Sequence, residues 1–490
     1  MIAILLFAAF NVIPQPADVG DWGGRVPADA PIVVSRDATF APEAYWLNVN
    51  PDGNIYITSA DAAGEFYARE TLRQMQDWRG YPCLFVKDRP AYRWRGVLLD
   101  ESRHFFGKHE VKRILDLMGQ YKLNVLHWHL VDDQGWRLEV PGYPELVRRG
   151  AIRPQSPQHG ARLKELGGLD FEIEMDGQSY GPFYYSESDV REILSYAAAR
   201  HVTVVPEIEL PGHVAAALAA YPEFACFPEH FAERFPRQAW GIERDVLCLG
   251  NDRAIKFMED VLDYVCRIFP SPYVHIGGDE CPQVRWKDCP KCRKRIVDEK
   301  LGDVKGLQPW ATRHFVKFLS ARGKRSIGWD EYLAGDGCPT SAVGMVWRNN
   351  QRGDGGNNAW LSAADLVARG HDLVMAPVTY CYINKAQGLE DDPYQYHGGC
   401  ITLAQCHSFD PCAGIPEALR SHVLGGQAAN WTEYTWCRFD LEWKMWPRTC
   451  ALAEALWSGP HKTEYADFLR RMRFHRPRLL QQGVNCAPLE

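Results

Sequence analysis

The chain has 490 residues, a length that accommodates two or three domains, or one large barrel with an attachment. Its 46% hydrophobic and 24% charged residues are those of a globular protein, and a formal charge of −7 without a basic run argues against nucleic acid as the main partner. No segment beyond the N-terminus reaches the length of a membrane helix, while 17 Trp and 21 Tyr supply many flat faces of the kind that hold sugar rings.

Residues 1–10 are apolar and are expected to be a signal segment, with export or a periplasmic location, although no Lys or Arg precedes them and no small-x-small cleavage site is present. Residues 11–90 alternate short apolar runs with turns. Residues 45–49 and 54–58 flank a Pro-Asp-Gly turn and predict a hairpin, and 64–76 have helical spacing. This stretch is expected to be a small non-catalytic α/β domain. The segment 81–90, with Pro82 and Pro90, reads as its linker to the rest of the chain.

From Trp94 the pattern changes to apolar strands alternating with amphipathic helices. Strands are predicted at 94–100, 124–130, 202–208, 273–277, 325–329, 342–347, 372–376 and 423–428, and helices at 108–121, 186–200, 252–269 and 308–322. Eight such units predict a (β/α)8 TIM barrel over residues 91–475, with 476–490 as a C-terminal tail.

A barrel of this kind carries its chemistry just after the strand ends. Asp100 with Arg103 and His104, Asp132 and Asp133, Glu207, Glu209 and His213, Asp279 and Glu280, Trp329 with Asp330 and Glu331, Trp347 and Arg348, Tyr382, and Trp431 with Glu433 all fall there. Singly each has an ordinary structural explanation. Together on one face they predict a carbohydrate site. Its centre is the stretch from Tyr273 to Glu280, an apolar strand that passes through Gly277 and Gly278 into the adjacent acids Asp279 and Glu280. Neighbouring carboxyls repel, so their unequal protonation gives them different roles.

The 15 cysteines are odd in number and scattered, which is no disulfide framework. Cys289 and Cys292, with Cys281 upstream, have the beginnings of a zinc site but lack a well-spaced fourth ligand, so no metal and no other cofactor is expected.

The segments WRGVLLDESRHF, KLNVLHWHLVDDQGWR, VVPEIELPGH, HIGGDE, IGWDE, VWR, CYIN and GGQAANWTEY, in this order, resemble glycoside hydrolase family 20, the β-N-acetylhexosaminidases. The resemblance implies an exo-acting, retaining reaction on a glycan with a terminal N-acetylhexosamine, in which the sugar's own acetamide attacks the anomeric carbon. It implies Glu280 as general acid, Asp279 as the group orienting the acetamide, and Tyr382 as a donor to the acetamide oxygen. Trp329, Trp347 and Trp431 would wall the pocket, Arg95, Asp132 and Glu433 would bind hydroxyls, and His213 would sit behind the acid.

One departure from the family pattern is Asn384 followed by Lys385, where most members have an Asp after the Tyr-x pair. This resembles the α-type subunit of the lysosomal enzyme and implies tolerance of a 6-sulfated sugar. A disaccharide-releasing member that cleaves off lacto-N-biose and a non-catalytic carbohydrate-binding protein remain the alternatives.

Overall fold

The computed structural model describes residues 10–489 except 162–163, 168–169, 232–234, 336, 349–360, 389–391 and 395–397. The expected signal segment lies almost wholly outside the described residues. Phe10, the first of them, is already buried in the core of the small domain.

That domain is a five-stranded sheet of β1 (Asp18–Val26), β2 (Ile32–Arg36), β3 (Tyr45–Val49), β4 (Ile55–Ser59) and β5 (Tyr81–Asp88), in the spatial order β1-β5-β3-β4-β2. Helix α1 (Ala62–Met75) covers one face, its first turn capped by Asp61, whose side chain accepts from the Gly64 N–H. Alternation in β3 and β4 points Tyr45, Leu47, Val49, Ile55 and Ile57 at the helix, so the hairpin has one wet and one dry face.

The expected linker at 81–90 is a strand instead. β5 pairs with both β1 and β3, and Pro82 is accommodated because it faces Arg25 beside an irregularity in β1, where a missing N–H breaks no regular ladder.

A closed parallel barrel comes next, made of β6 (Trp94–Asp100), β7 (Val125–His129), β8 (Thr203–Glu207), β9 (Tyr273–His275), β10 (Arg325–Trp329), β11 (Val343–Val346), β12 (Leu373–Met375) and β13 (Val423–Asn430), with β13 closing onto β6. Outer helices include α2 (Lys108–Gln120), α3 (Glu187–Ala198), α4 (Asp252–Ile268), α5 (Val284–Asp288), α6 (Pro290–Asp298) and α7 (Leu307–Ser320). Further along come α8 (Ala363–Ala368), α9 (Leu403–Ser408), α10 (Arg438–Met445), α11 (Arg448–Ser458) and α12 (Tyr465–Gln481). The start of α3 carries the predicted signal in full: Ser186 and Asp189 form a reciprocal capping box. Residues 476–481, expected as the start of a tail, continue α12, and Val484 and Cys486 beyond it are buried. Among the described residues no helix is long and apolar enough to cross a membrane.

The small domain sits on the N-terminal end of the barrel. There Arg95 is fully buried and forms a two-pronged ion pair with Glu43, at 2.9 and 3.0 Å. Lys122 reaches Asp88 at 2.9 Å, and Trp457 of α11 donates to the same carboxylate. Arg95 is therefore no hydroxyl-binding residue: it stands at the start of β6, at the end of the barrel away from the pocket.

Candidate active site

At the C-terminal ends of the strands lies a cavity of about 210 Å³ lined by Arg103, Asp132, Glu209, His213, Asp279, Glu280, Trp347, Val378, Tyr382, Asn384, Lys385, Trp431 and Glu433. The strand-end placement expected from the sequence brings Asp279, Glu280, Tyr382, Asp132, His213, Trp347, Asn384, Lys385, Trp431 and Glu433 together on this surface.

The two acids are presented by a backbone that only glycine permits. Gly277 and Gly278 have φ of +60° and +97°, and a Cβ on Gly277 would come within 1.7 Å of Glu209 Oε2. β9 therefore ends early, and Glu280, itself at φ +45°, turns its side chain to the same side as Asp279. His213, also left-handed at +51°, stands against both, with Nε2 at 3.8 Å from Asp279 and 3.7 Å from Glu280. Its Nδ1 lies 3.2 Å from Asp132 and 3.3 Å from Asp133.

These contacts set the charges. Burial disfavours a cation at His213, but Asp132 and its neighbours more than offset this and hold the imidazole well above its ordinary range. Burial pushes both Asp279 and Glu280 up, with the His213 cation pulling each back and Glu331 pushing each further. Glu280 and Glu207 add to the rise at Asp279, whereas Arg103 is a second cation opposing the rise at Glu280. Glu209, beneath them, is raised well above the carboxylate range by burial and by Asp279.

One wall of the pocket is aromatic. Trp347 and Tyr382 are near parallel with centroids 6.2 Å apart, and Trp431 lies 6.4 Å from Tyr382. Trp347 is fixed by its indole N–H donating to Glu331 at 2.9 Å. Trp329 was expected in this wall but lies behind it, 1% exposed, packed on Trp431 and donating to Glu207 at 2.9 Å. Glu207 is ringed by His127 at 3.1 Å, His275 at 2.7 Å and a tight contact from His129, and these histidines overcome its burial and hold it ionised. His129 passes on to Asp132 through Nε2 at 3.1 Å, so alternating charges run from the barrel interior up to His213 and the paired acids.

Polar groups complete the lining. Arg103, which the strand-end pattern included but the assigned hydroxyl contacts passed over, reaches Asp132 at 2.7 Å, Asp100 at 3.2 Å and Glu433 at 4.0 Å, and stacks 5.2 Å from the Trp431 centroid. Tyr382, Asn384 and Lys385 come after β12 on a segment laid against β13 through the Tyr382–Ala429 bridge. The buried Arg448 fastens it by donating to the Ile383 and Lys385 carbonyls at 2.5 and 2.9 Å.

A family model described as the glycosyl hydrolase family 20 catalytic domain matches residues 92–460, and one for domain 2 of that family matches residues 23–89. The chain belongs to glycosyl hydrolase family 20. Within the family it is 37% identical to a beta-hexosaminidase of Porphyromonas gingivalis over 94% of its own length, although it spans only 57% of that longer protein. It is 34% identical to a beta-hexosaminidase of Akkermansia muciniphila, covering 97% of this chain and 91% of the relative. Among solved structures it matches a beta-N-acetylhexosaminidase at a TM-score of 0.84 with 30% identity, over 96% of both chains. It also matches the family 20 exo beta-N-acetylglucosaminidase of Vibrio harveyi in complex with N-acetylglucosamine, at a TM-score of 0.83 with 27% identity, over 98% of this chain and 78% of that one.

Three members of the pocket, Arg103, Glu209 and the apolar Val378, escaped the sequence-based assignment. Arg103 was displaced by Arg95, the other arginine of the same segment. Glu209 was legible only as a strand-end acid, since nothing local shows that it lies under Gly277.

Proposed function

We propose that this family 20 protein is an exo-acting, retaining β-N-acetylhexosaminidase that works by substrate assistance. The observation that carries the reading is the pairing of Asp279 and Glu280 against one cationic imidazole at the floor of a pocket walled by Trp347, Tyr382 and Trp431. In the first step the acetamide carbonyl oxygen of the substrate forms a bond to C1 while the glycosidic C1–O bond breaks. Glu280 gives its proton to the leaving oxygen. Asp279 accepts the acetamide N–H, and the positive charge that develops there favours its ionised form against the burial that raises it. In the second step Glu280 takes a proton from water, whose oxygen bonds to C1 as the bond from C1 to the acetamide oxygen breaks, so that two inversions at C1 give retention.

Two alternatives are weaker. A cavity of about 210 Å³ is smaller than the roughly 300–1,000 Å³ typical of larger ligand sites, which favours one sugar ring over a disaccharide. A lectin would have no use for a proton-bearing Glu280 beside the acetamide site. The test is hydrolysis of a β-linked N-acetylglucosamine disaccharide, whose poor leaving group needs the acid, by wild type and by Glu280→Gln. The expected loss is about 10²–10⁴-fold in the variant. Equal rates would remove Glu280 from the reaction.

A second reading concerns specificity. Among the described residues Asn384 Oδ1 is buried without a hydrogen-bond partner, and Lys385 adjoins it on the pocket wall. An amide and an ammonium tolerate an anion at the sugar's C6 where a carboxylate would repel it. The double change Asn384→Asp with Lys385→Leu is expected to lower the ratio of turnover on 6-sulfated over plain substrate. An unchanged ratio would remove this specificity.

A further inference from the structure

Four cysteines converge outside the pocket, and local spacing pointed to only Cys289 and Cys292 among them. Cys226 and Cys248 come from the long connection after β8, Cys289 is the N-cap of α6, and Cys292 lies in its first turn. Their sulfurs all lie within 4.8 Å of one another, and all four side chains are buried. The separations are 3.7 Å for Cys226–Cys292, 3.7 Å for Cys248–Cys289 and 3.8 Å for Cys248–Cys292. A disulfide requires about 2.05 Å. Four thiolates on a tetrahedral zinc, each about 2.3 Å from the metal, are about 3.8 Å apart along each edge. Cys281, the third ligand suggested by sequence, is not in the cluster.

We propose that Cys226, Cys248, Cys289 and Cys292 bind one structural zinc ion. Four protein ligands leave no open position for water, which makes the site structural and not catalytic. The chemistry around it suits thiolates. The cluster sits at the N-terminus of α6, where unpaired N–H groups favour negative charge. The same helix carries Lys291, Arg293, Lys294 and Arg295.

The surroundings allow close approach. A Cβ on Gly250 would come within 2.1 Å of the Lys291 carbonyl carbon, so only glycine lets the Cys248 segment pass this close to α6. Beside it, Trp286 donates to the Leu247 carbonyl at 3.0 Å and Arg285 meets Asp245 at 2.9 Å. Zinc would thus tie the segment immediately after Asp279 and Glu280 to the connection after β8, the one that also carries His213. The zinc site is independent of the glycosidase reading.

Elemental analysis of the full-length protein, purified without chelator, is the test. One zinc per chain is expected, retained in Cys281→Ser and falling at least tenfold in Cys248→Ser with Cys289→Ser. The wild-type protein alone also decides the matter if the double variant does not fold. Thiol modification under native conditions should release zinc in proportion to the four cysteines modified, and cobalt substituted for zinc should show the charge-transfer absorption of a tetrahedral tetrathiolate. Iron in place of zinc, a chain without metal after refolding in excess zinc, or peptide mapping that finds these cysteines joined as disulfides would each overturn it.

Discussion

Arg95 and Arg103 flank the two ends of β6, and a barrel treats its two ends differently. Arg103 projects among Asp100, Asp132 and Glu433, where its charge holds acids that would otherwise repel one another and presents donors to the pocket. Replacing it with Gln is expected to lower kcat/KM by about 10–100-fold, the worth of a charged hydrogen bond, with most of the loss in KM. Arg95→Ala instead strands Glu43 at the domain junction. It should destabilise the fold by about 3–5 kcal/mol in denaturant titration while leaving KM for the same substrate unchanged. The reverse pattern would restore the assignment that the sequence invited. His213 adds a pH dependence. Its cation lowers both Asp279 and Glu280 against the burial that raises them. Glu280 acts as an acid only while protonated, so activity is lost as pH rises through its raised pKa. His213→Asn removes the opposing charge and raises that pKa further, so the alkaline limb of kcat/KM should move to higher pH. A limb that stays in place or moves to lower pH would contradict the arrangement.

Elements set the direction of the paired acids. β9 is short because the chain leaves the sheet at Gly277 and Gly278, and the left-handed turn there is what swings Asp279 and Glu280 to one side. Alternation along a continued strand would have sent them to opposite faces. Gly277→Ala forces a Cβ toward Glu209 at positive φ, and is expected to lower kcat at least about tenfold and stability by about 1–3 kcal/mol. Circular dichroism and initial rates on one preparation would check both. Elements with local signals were legible in the sequence: barrel strands as apolar runs, and α3 by its Ser186 cap. β5 was misread because Pro82 resembles a linker residue, and only the irregular pairing with β1 shows why a strand tolerates it there. Trp329 was placed at the pocket surface because it ends a strand, but strand-end residues also point into the barrel, and Glu207 draws its indole inward. Nothing local could bring Cys226 and Cys248 to Cys289, because that meeting depends on how two long connections fold back over the barrel.

Across the molecule, buried ion pairs join its parts. Arg95–Glu43 and Lys122–Asp88 hold the small domain to the barrel, and Glu454 of α11 pairs with Arg471 of α12 through contacts of 2.5 and 2.7 Å. Burial alone would raise Glu454, but the Arg471 guanidinium prevails and brings it from 4.5 to about 2. The unfolded chain therefore takes up this proton first on acidification. The stabilisation is fully present above about pH 4.5 and is lost as pH falls through about 2. Between about pH 6 and pH 3 this one group should account for about 2 kcal/mol of lost unfolding free energy, so Glu454→Gln should show a correspondingly shallower loss. An equal loss in both proteins would show that the pair does not govern acid stability.

Substrate assistance makes the sugar's own acetamide the nucleophile, and chemistry at C2 therefore controls the rate. The decisive measurement compares wild-type turnover of 4-nitrophenyl N-acetyl-β-glucosaminide with its N-trifluoroacetyl analogue and with the plain β-glucoside, which share a leaving group and differ at C2. Withdrawing electrons from the acetamide oxygen, or deleting it, weakens or removes the nucleophile. Rates are predicted to fall at least about tenfold for the trifluoroacetyl compound and about a hundredfold or more for the glucoside. Equal rates on all three would contradict substrate assistance at Asp279 and Glu280.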